Sequence, residues 1–332
     1  MNHTEANSPP HCKLQYHSDK RLATIYLDAP QSANVLNETV FKELNECLDR
    51  IERESSCRGL IFISKKEKIF VAGADLKEFA NDPEPKAIDH MIELGQSTFN
   101  RIANLSITTV AAIHGVCMGG GLELALACDY RVATKSAHTK IGLPEINLGI
   151  LPAWGGCTRL PRLIGLRNAM QSILSGKTYS APKAKKLCLV DHVTTRENAH
   201  TSACYFAQLR KPQNRGFTWE HLPPAPSLIH RWAHRDTLSR TLGHYPAPLR
   251  ALEVMTEGFK STIEHSLALE RKAIKELMQT DEARNLIGVF FLQERAKKMK
   301  ITHEDGSTIE PTSIKHASVV GAGVMGAGIA QW

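Results

Sequence analysis

The chain has 332 residues, of which 42% are hydrophobic and 23% are charged. This composition is typical of a folded globular protein and excludes a largely disordered chain. The 41 Lys and Arg residues outnumber the 34 Asp and Glu residues, and the net charge of +7 favours an anionic ligand such as a nucleotide phosphate. Because no run of five or more basic residues is present, nucleic acid is not expected as a partner.

Cysteine and histidine spacing predicts neither disulfides nor a metal site. The eight cysteines are irregularly spaced without a CxxC pair, and the fifteen histidines show no HExxH pattern. The N-terminal residues MNHTEANSPPHCKLQ lack the apolar stretch of a signal peptide, and no apolar run approaches the ~20 residues of a membrane span. We therefore predict a cytoplasmic protein with reduced thiols, without a transmembrane segment.

The first part of the chain reads as a layered α/β structure. Residues 22–27 (LATIYL) form a short strand pattern, and residues 38–53 carry apolar side chains at helical spacing. Residues 59–64 (GLIFIS) are a continuous apolar run, as expected for a strand that is buried on both faces. A third strand at residues 109–114 leads into a glycine-rich loop and a helix at residues 122–128, followed by a strand at residues 130–134.

The second part of the chain is mainly helical. From Lys177 a helical pattern gives way to an irregular region in which several prolines between residues 212 and 248 interrupt any long element. Residues 249–300 contain no proline and predict two or three amphipathic helices. Residues 301–312 form a polar linker, after which a new segment begins.

Gly119, Gly120 and Gly121 stand directly before the predicted helix at residues 122–128. Backbone N–H groups at such a helix start are unshielded and can stabilise an oxyanion, although a tight turn that needs glycine for packing gives the same pattern. Glu123 follows in an apolar setting, where it either caps the helix or serves the site that the loop forms. Glu145 also lies between apolar residues, and a charge there is costly unless it is hydrogen-bonded or functional.

Three segments, FVAGADLKEF (70–79), GVCMGGGLELALACDYRVA and IGLPEINLGILPAWGGCTRLPRLIG, resemble the crotonase superfamily of enoyl-CoA hydratases and isomerases. They occur in order within roughly residues 15–200. The resemblance implies an α/β fold of the crotonase (ClpP/crotonase-like) type, a spiral of ββα turns with a helical C-terminal extension. It also implies an acyl-CoA thioester as substrate and no cofactor for hydration.

Carried over position by position, the resemblance makes the N–H groups of Ala72 and Gly120 the oxyanion hole for the thioester carbonyl. Ala72, Gly73, Ala74 and Asp75, together with Gly120, would line the path of coenzyme A, where small side chains allow close backbone approach.

Glu123 and Glu145 match the two catalytic glutamates of the hydratases. Glu123 is expected to activate the water that adds to C3, and Glu145 to donate a proton to C2. The family also contains isomerases that rely on one glutamate at the Glu145 position, so Δ3-Δ2-enoyl-CoA isomerisation is an alternative or secondary activity. A silent scaffold for a thiolase partner is the third alternative. Trp154 either narrows the acyl pocket or packs on the following helix.

The segment SVVGAGVMGAGIAQ contains a GxGxxG pattern at Gly321, Gly323 and Gly326, preceded by a predicted strand. It resembles the start of the NAD-binding domain of 3-hydroxyacyl-CoA dehydrogenases, which follows the hydratase in multifunctional β-oxidation proteins of the alpha-subunit type. The fingerprint is incomplete, so NAD binding is expected only with the full dehydrogenase domain.

The sequence therefore predicts the N-terminal part of a longer multifunctional protein. Residues 1–200 are assigned to the hydratase/isomerase domain, residues 201–312 to linker and C-terminal helices, and residues 313–332 to the truncated start of the NAD-binding domain. A thiolase subunit is a candidate partner of the full-length protein. Either a monomer or a trimer agrees with the resemblance.

Overall fold

The computed structural model describes residues 9–19, 21–79, 85–212, 219–299, 316–321 and 323–331. The chain divides into two compact units, Met1–Val289 and Phe290–Trp332. This division reflects packing alone, so the domain boundaries predicted after residues 200 and 312 stay predictions. Across the described ranges, no helix combines the length and the apolar character needed to cross a bilayer.

The strands of the described residues form two sheets. In chain order they are β1 (Cys12–Tyr16), β2 (Leu22–Leu27), β3 (Gly59–Ser64), β4 (Ile69–Val71), β5 (Thr108–Ile113), β6 (Val116–Met118), β7 (Tyr130–Thr134), β8 (Lys140–Gly142), β9 (Thr178–Tyr179) and β10 (His192–Thr194). The larger sheet has the order β1-β2-β3-β5-β7-β10, with β1 antiparallel to β2 and the other pairs parallel. All residues of β3 and β5 are buried, as their continuous apolar sequences predict.

The smaller sheet positions the candidate site. Its order is β4-β6-β8-β9, and β4, β6 and β8 run parallel to one another. Because the carboxyl ends of parallel strands lie at the same edge of a sheet, the loop after β4 and the loop after β6 come together. These loops are the VAGAD and triple-glycine segments of the sequence.

Helices cover the sheets and make up the C-terminal half. They are α1 (Glu38–Arg53), α2 (Pro85–Asn104), α3 (Gly120–Ala127), α4 (Gly156–Ile164), α5 (Leu166–Ser175), α6 (Ala181–Lys186), α7 (Ala199–Ala207), α8 (Ala225–Thr241), α9 (Pro246–Phe259), α10 (Ile263–Met278), α11 (Asp281–Lys298) and α12 (Val324–Gln331). The bounds of α1 are those that the sequence predicts, because Asn37 caps its first turn by accepting from Val40 N and the apolar residues recur at helical spacing.

The structure differs from the predicted elements at two places. The N-terminal segment contains strand β1, which the sequence patterns do not predict; β1 is short and pairs only with β2 among the described residues. The proline-rich region is not irregular throughout, because Pro226 lies in the first turn of α8 and Pro246 and Pro248 lie in the first turn of α9. Proline is tolerated there since the first N–H groups of a helix have no intrahelical acceptor.

The C-terminal helices pack on the helices around the site. Helix α10 packs against α2, α4 and α9, and α9 packs against α4 and α5. Gln96 on α2 ties these layers together, since its Nε2 donates to Ala153 O at 2.7 Å and to Leu267 O at 3.0 Å. The mixed α/β fold with a helical C-terminal region is therefore as predicted.

Candidate active site

The loops after β4 and β6 come together at Gly119, whose backbone conformation only glycine adopts readily. Gly119 has a φ of +53°, in the left-handed region, and a Cβ added there would lie 2.9 Å from Glu145 Oε1 and 3.7 Å from Gly73 Cα. Helix α3 begins at the next residue, Gly120, so its first N–H groups face the space in front of the loop.

Ala72 is not available as the oxyanion donor that the sequence predicts. Its N–H donates to Asn34 O at 2.9 Å, and the buried Asn34 side chain is itself fixed by bonds to neighbouring strands and turns. Among the hydrogen bonds of the described residues, none has Ala74 N–H or Gly120 N–H as its donor. The residue two positions after Ala72 is therefore the one whose N–H is free beside Gly120.

Glu123 lies in the first turn of α3 and is only 2% exposed. Its Oε1 accepts hydrogen bonds from Trp154 N at 2.7 Å and from Gly156 N at 2.8 Å. Burial raises the pKa of Glu123 to about 7, against the lowering effect of these two amides and of the Arg159 charge. Capping of α3 is thus not its role, since its carboxylate bonds the N-terminus of α4 instead.

Glu145 opens the 3₁₀ turn Glu145–Leu148, which ends at Gly149 in the left-handed conformation. The turn is fixed by Tyr245, whose hydroxyl donates to Ile146 O and accepts from Gly149 N. Burial and the neighbouring charge of Glu123 raise the pKa of Glu145 well above its ordinary value. Its Oε2 is buried and has no hydrogen-bond partner within the described residues.

Both glutamates line one cavity, which has a volume of about 70 Å³. Most of its lining is apolar, and Ala74 and Gly120 border it as well. The C-terminal helices contribute Ile274, Met278 and Ile287 to its wall. The cavity is thus an apolar chamber that brings two carboxyl groups together with two N–H groups that donate no hydrogen bond among the described residues. Ala72, Gly73 and Asp75 do not line it, and their contact with coenzyme A stays a prediction.

Trp154 both packs and lines the cavity, so the two roles that the sequence left open coexist. Its indole makes edge contacts with Phe41 and Phe99. A Cβ on Gly120 would lie 2.5 Å from Trp154 Cζ3, and one on Gly95 would lie 2.4 Å from Trp154 Nε1. The indole therefore requires glycine at the position of the candidate oxyanion donor.

A family model described as enoyl-CoA hydratase/isomerase matches residues 17–215, which is more than half of the chain. The chain belongs to the enoyl-CoA hydratase/isomerase family. The resemblance to the crotonases is confirmed by this match, and the predicted crotonase fold is confirmed by solved structures of the family.

Among curated relatives, the fatty acid oxidation complex subunit alpha of Aliivibrio fischeri is 38% identical over 319 residues, covering 94% of this chain and 46% of that protein. The chain spans about half the length of the curated relatives it matches. An enoyl-CoA hydratase from Bacillus anthracis is 29% identical with a TM-score of 0.57, over 86% of this chain and 96% of that one. Human mitochondrial Δ3-Δ2-enoyl-CoA isomerase is 22% identical with a TM-score of 0.66, over 87% and 100% of the two chains, which shows a common fold.

This member of the hydratase/isomerase family has another buried carboxyl group that sequence reasoning missed. Glu270 on α10 is 0% exposed, and its Oε2 accepts from Gly155 N at 2.8 Å. The signal was present in the sequence, because Glu270 occupies the apolar face of α10 between Leu267 and Ile274. A carboxylate at a buried helical position is as informative as the isolated carboxylates at Glu123 and Glu145.

His17, His200 and Cys204 bring three potential ligand atoms within 4.8 Å of one another, at the end of β1 and on α7. The two imidazole rings stack with an interplanar angle of 11°. Ring lone pairs lie in the ring planes, so stacked parallel rings direct them side by side and not toward one point. We assign no metal to this cluster.

The C-terminal glycines lie in the second compact unit. Gly321 has a φ of +110°, and a Cβ on Gly326 in α12 would lie 1.7 Å from Gly321 O. Residues 316–321 form no strand, which corrects that prediction: Val320 is fully exposed, and a strand needs a neighbour to pair its backbone groups. Gly323 directly precedes α12, and the assignment of Gly321, Gly323 and Gly326 to an incomplete NAD fingerprint stays a prediction.

Proposed function

We propose that the chain is an enoyl-CoA hydratase, which adds water to a trans-2-enoyl-CoA to give a 3-hydroxyacyl-CoA. The proposal is carried by Glu123 and Glu145, two carboxyl groups with raised pKa values on one apolar cavity beside free backbone donors. Hydration needs one group that accepts a proton and another that donates one, together with a site for the developing charge on the thioester oxygen.

The two glutamates are suited to different roles. Glu123, with a pKa of about 7, is ionised in a large fraction of molecules near neutral pH and can accept a proton from water. Glu145, whose pKa is raised further by the charge of Glu123, retains its proton and can donate it. Environments that separate the pKa values of two neighbouring carboxyl groups define an acid and a base.

In the proposed reaction, Glu123 accepts a proton from water as the water oxygen bonds to C3. Glu145 delivers a proton to C2, so the C2–C3 double bond becomes single and the elements of one water are added. The exchange of protons among the two carboxyl groups and solvent then restores the starting state. No cofactor takes part in these steps.

The thioester oxygen gains charge in the enolate-like transition state. We assign its stabilisation to the N–H groups of Ala74 and Gly120, because Ala72 N–H is occupied by Asn34 O. The positive end of the α3 dipole adds to the effect. One such donor typically contributes about 3 kcal/mol to lowering the barrier.

One feature of the site favours a secondary isomerase activity. Glu123 Oε1 is fixed by two amides, whereas Glu145 Oε2 is buried without a hydrogen-bond partner among the described residues. Glu145 is therefore the less restrained proton carrier. It can move a proton between C4 and C2 of a 3-enoyl-CoA when it is ionised.

The curated relatives support a place for this hydration in fatty acid oxidation, because they are named as alpha subunits of a fatty acid oxidation complex. The chain matches less than half of their length, so a dehydrogenase activity and a thiolase partner belong to the proposal for a longer protein. The scaffold alternative is disfavoured by the two glutamates on one apolar cavity, which a structural role alone would not require.

The deciding experiment follows the loss of conjugated thioester absorbance when purified protein is mixed with short- and medium-chain 2-enoyl-CoA. We expect rapid hydration, reduced about 10²–10⁴-fold in each of Glu123→Gln and Glu145→Gln. The exposed substitution Glu264→Gln is the matched control. If the folded parent protein does not hydrate 2-enoyl-CoA but converts 3-enoyl-CoA, the protein is an isomerase. Inactivity on both substrates would favour the scaffold alternative.

A further inference from the structure

Glu270 is buried where a carboxyl group has no structural need to be. It shares the apolar face of α10 with Leu267, Ala273 and Leu277, all of which are buried. Its Oε2 accepts from Gly155 N, but its Oε1 is buried without a hydrogen-bond partner among the described residues. An apolar side chain would fill this position without the cost of burying a carboxyl group.

The N–H of Gly155, which donates to Glu270, belongs to the same turn whose other N–H groups donate to Glu123. The N–H groups of Trp154 and Gly156 donate to Glu123 Oε1, and the N–H of Gly155 between them donates to Glu270 Oε2. Three successive amides at the start of α4 are thus divided between two carboxyl groups from different helices. The orientation of this turn depends on both.

Arg159 holds the same turn from its carbonyl side. Gly155 has a φ of +111°, and a Cβ there would lie 1.7 Å from Arg159 Nη1. The Arg159 guanidinium donates to Trp154 O at 3.1 Å and to Asn100 Oδ1 at 2.5 Å, which fixes the turn from its carbonyl side. The Thr158 hydroxyl next to it is bonded to Ser266 Oγ at 2.8 Å and also interacts with the Glu270 carboxyl group, where it opposes the rise in pKa.

The three carboxyl groups interact electrostatically. Burial, followed by the charge of Glu123, raises the pKa of Glu270 to about 8, and Glu270 in turn contributes to raising the pKa of Glu145. The titratable groups that influence Glu270 or are influenced by it are Glu123 on α3, Glu145 on the 3₁₀ turn, and Cys157, Arg159 and Arg162 on α4. Arg159 opposes the rise at both Glu123 and Glu270.

We propose that Glu270 is a positioning residue for the hydration reaction: it fixes the Trp154–Gly156 turn behind Glu123 and places a third carboxyl group against the catalytic pair. The inference rests on the proposed function. Glu270 does not line the cavity, so it acts through Glu123 and Glu145 and not on the substrate. It also gives the C-terminal helices, which lie beyond the residues matched by the family model, a part in the chemistry.

Glu270→Gln separates the two parts of this role, because it keeps an oxygen acceptor for Gly155 N–H and removes the negative charge. With a pKa of about 8, Glu270 is mostly protonated where Glu123 titrates, but its charge contributes to raising the pKa of Glu145. The alkaline limb of the pH profile of kcat/KM, which Glu145 sets in the proposed reaction, should therefore move to lower pH in Glu270→Gln, whereas the acidic limb set by Glu123 should stay in place. A purely structural role would lower activity without moving the alkaline limb.

Glu270→Leu tests the positioning part, since it leaves Gly155 N–H without an acceptor. A displaced turn misplaces Glu123, and we expect kcat to fall about 10²-fold with KM little changed. Glu264→Gln, an exposed substitution on the same helix, should leave both constants at the parental values. Circular dichroism establishes that each variant is folded.

Melting temperature against pH provides a readout that needs no activity. The parent must ionise the buried Glu270 as pH rises from 5 to 9, whereas Glu270→Gln does not, so the variant should gain melting temperature relative to the parent over this range. If the parent hydrates 2-enoyl-CoA but neither the alkaline limb nor the relative melting temperature of Glu270→Gln moves, the inference is overturned and hydration stands. If the parent does not hydrate, the proposed function fails, and the role of Glu270 in it fails too, even where the melting temperatures behave as expected.

Discussion

Replacement of Glu123 by glutamine should stabilise the protein at alkaline pH while it slows the proposed hydration. Burial raises the pKa of this carboxyl group from its ordinary value of 4.5 to about 7. The folded state therefore binds the proton more tightly than the unfolded state does. Stability is lost as the pH rises from 4.5 through 7, because folding then requires a buried charge.

The size of the effect follows from the shift. One pKa unit corresponds to about 1.4 kcal/mol, so Glu123 lowers the free energy of unfolding by about 3 kcal/mol at pH 8.5. At pH 5, close to the unfolded pKa, the same group costs less than about 1 kcal/mol. Glu123→Gln removes the ionisation, and its amide oxygen can still accept from Trp154 N and Gly156 N.

Urea unfolding of parent and variant, followed by circular dichroism at pH 5 and pH 8.5, measures this difference. The quantity of interest is the change in relative stability between the two pH values, from which any pH-independent cost of the new amide cancels. We expect the variant to gain about 2 kcal/mol or more on going from pH 5 to pH 8.5. A relative stability that is the same at both values would refute the assignment of Glu123 as a carboxyl group with a raised pKa.

Three further substitutions test other parts of the site. Gly120→Ala should lower kcat about 10²–10³-fold, because the added methyl group collides with the Trp154 indole and displaces an oxyanion donor. Gly288→Ala, whose added Cβ has nothing within 4 Å, should leave kcat unchanged. Steady-state kinetics of both variants test this, and a parental kcat in Gly120→Ala would exclude Gly120 N–H as the donor. Tyr245→Phe removes the hydroxyl that donates to Ile146 O and should destabilise the fold by about 1–3 kcal/mol in urea unfolding; an unchanged midpoint would mean that the contact is weak. Met278→Ala removes part of the cavity wall and so enlarges the cavity, and it should raise kcat/KM for longer relative to shorter 2-enoyl-CoA substrates. An unchanged ratio of the two kcat/KM values would place the acyl chain elsewhere.

Local sequence patterns predicted the elements that carry the glutamate pair. The buried strands and the glycine loop were recognisable because apolar runs and glycine clusters have few alternative structures. The difference in α3 is small: the helix begins at Gly120, two residues before the predicted start. The proline-rich region was misjudged because proline blocks the interior of a helix but favours its first turn, as in α8 and α9.

Long-range contacts account for what the sequence did not predict. Ala72 N–H is occupied because it donates to Asn34 O, and no local sequence pattern indicates a contact between these two loops. Glu270 lies 115 residues from its hydrogen-bond partner Gly155. Neither pairing has a spacing that motif reading can detect, although the isolated carboxylate on an apolar helical face gives a signal for Glu270.

The two hydrogen bonds of Gln96 cannot both form until α10 has been synthesised. One of its acceptors, Leu267 O, lies 171 residues further along the chain, on α10. Ribosomes add about 5–20 residues per second, so roughly 10 to 30 seconds separate the synthesis of these two partners. In the later part of that interval the glutamate pair has been synthesised, but the wall contributed by Ile274, Met278 and Ile287 has not. The nascent chain therefore exposes an open, apolar half-cavity, and this surface is where a chaperone would be expected to bind.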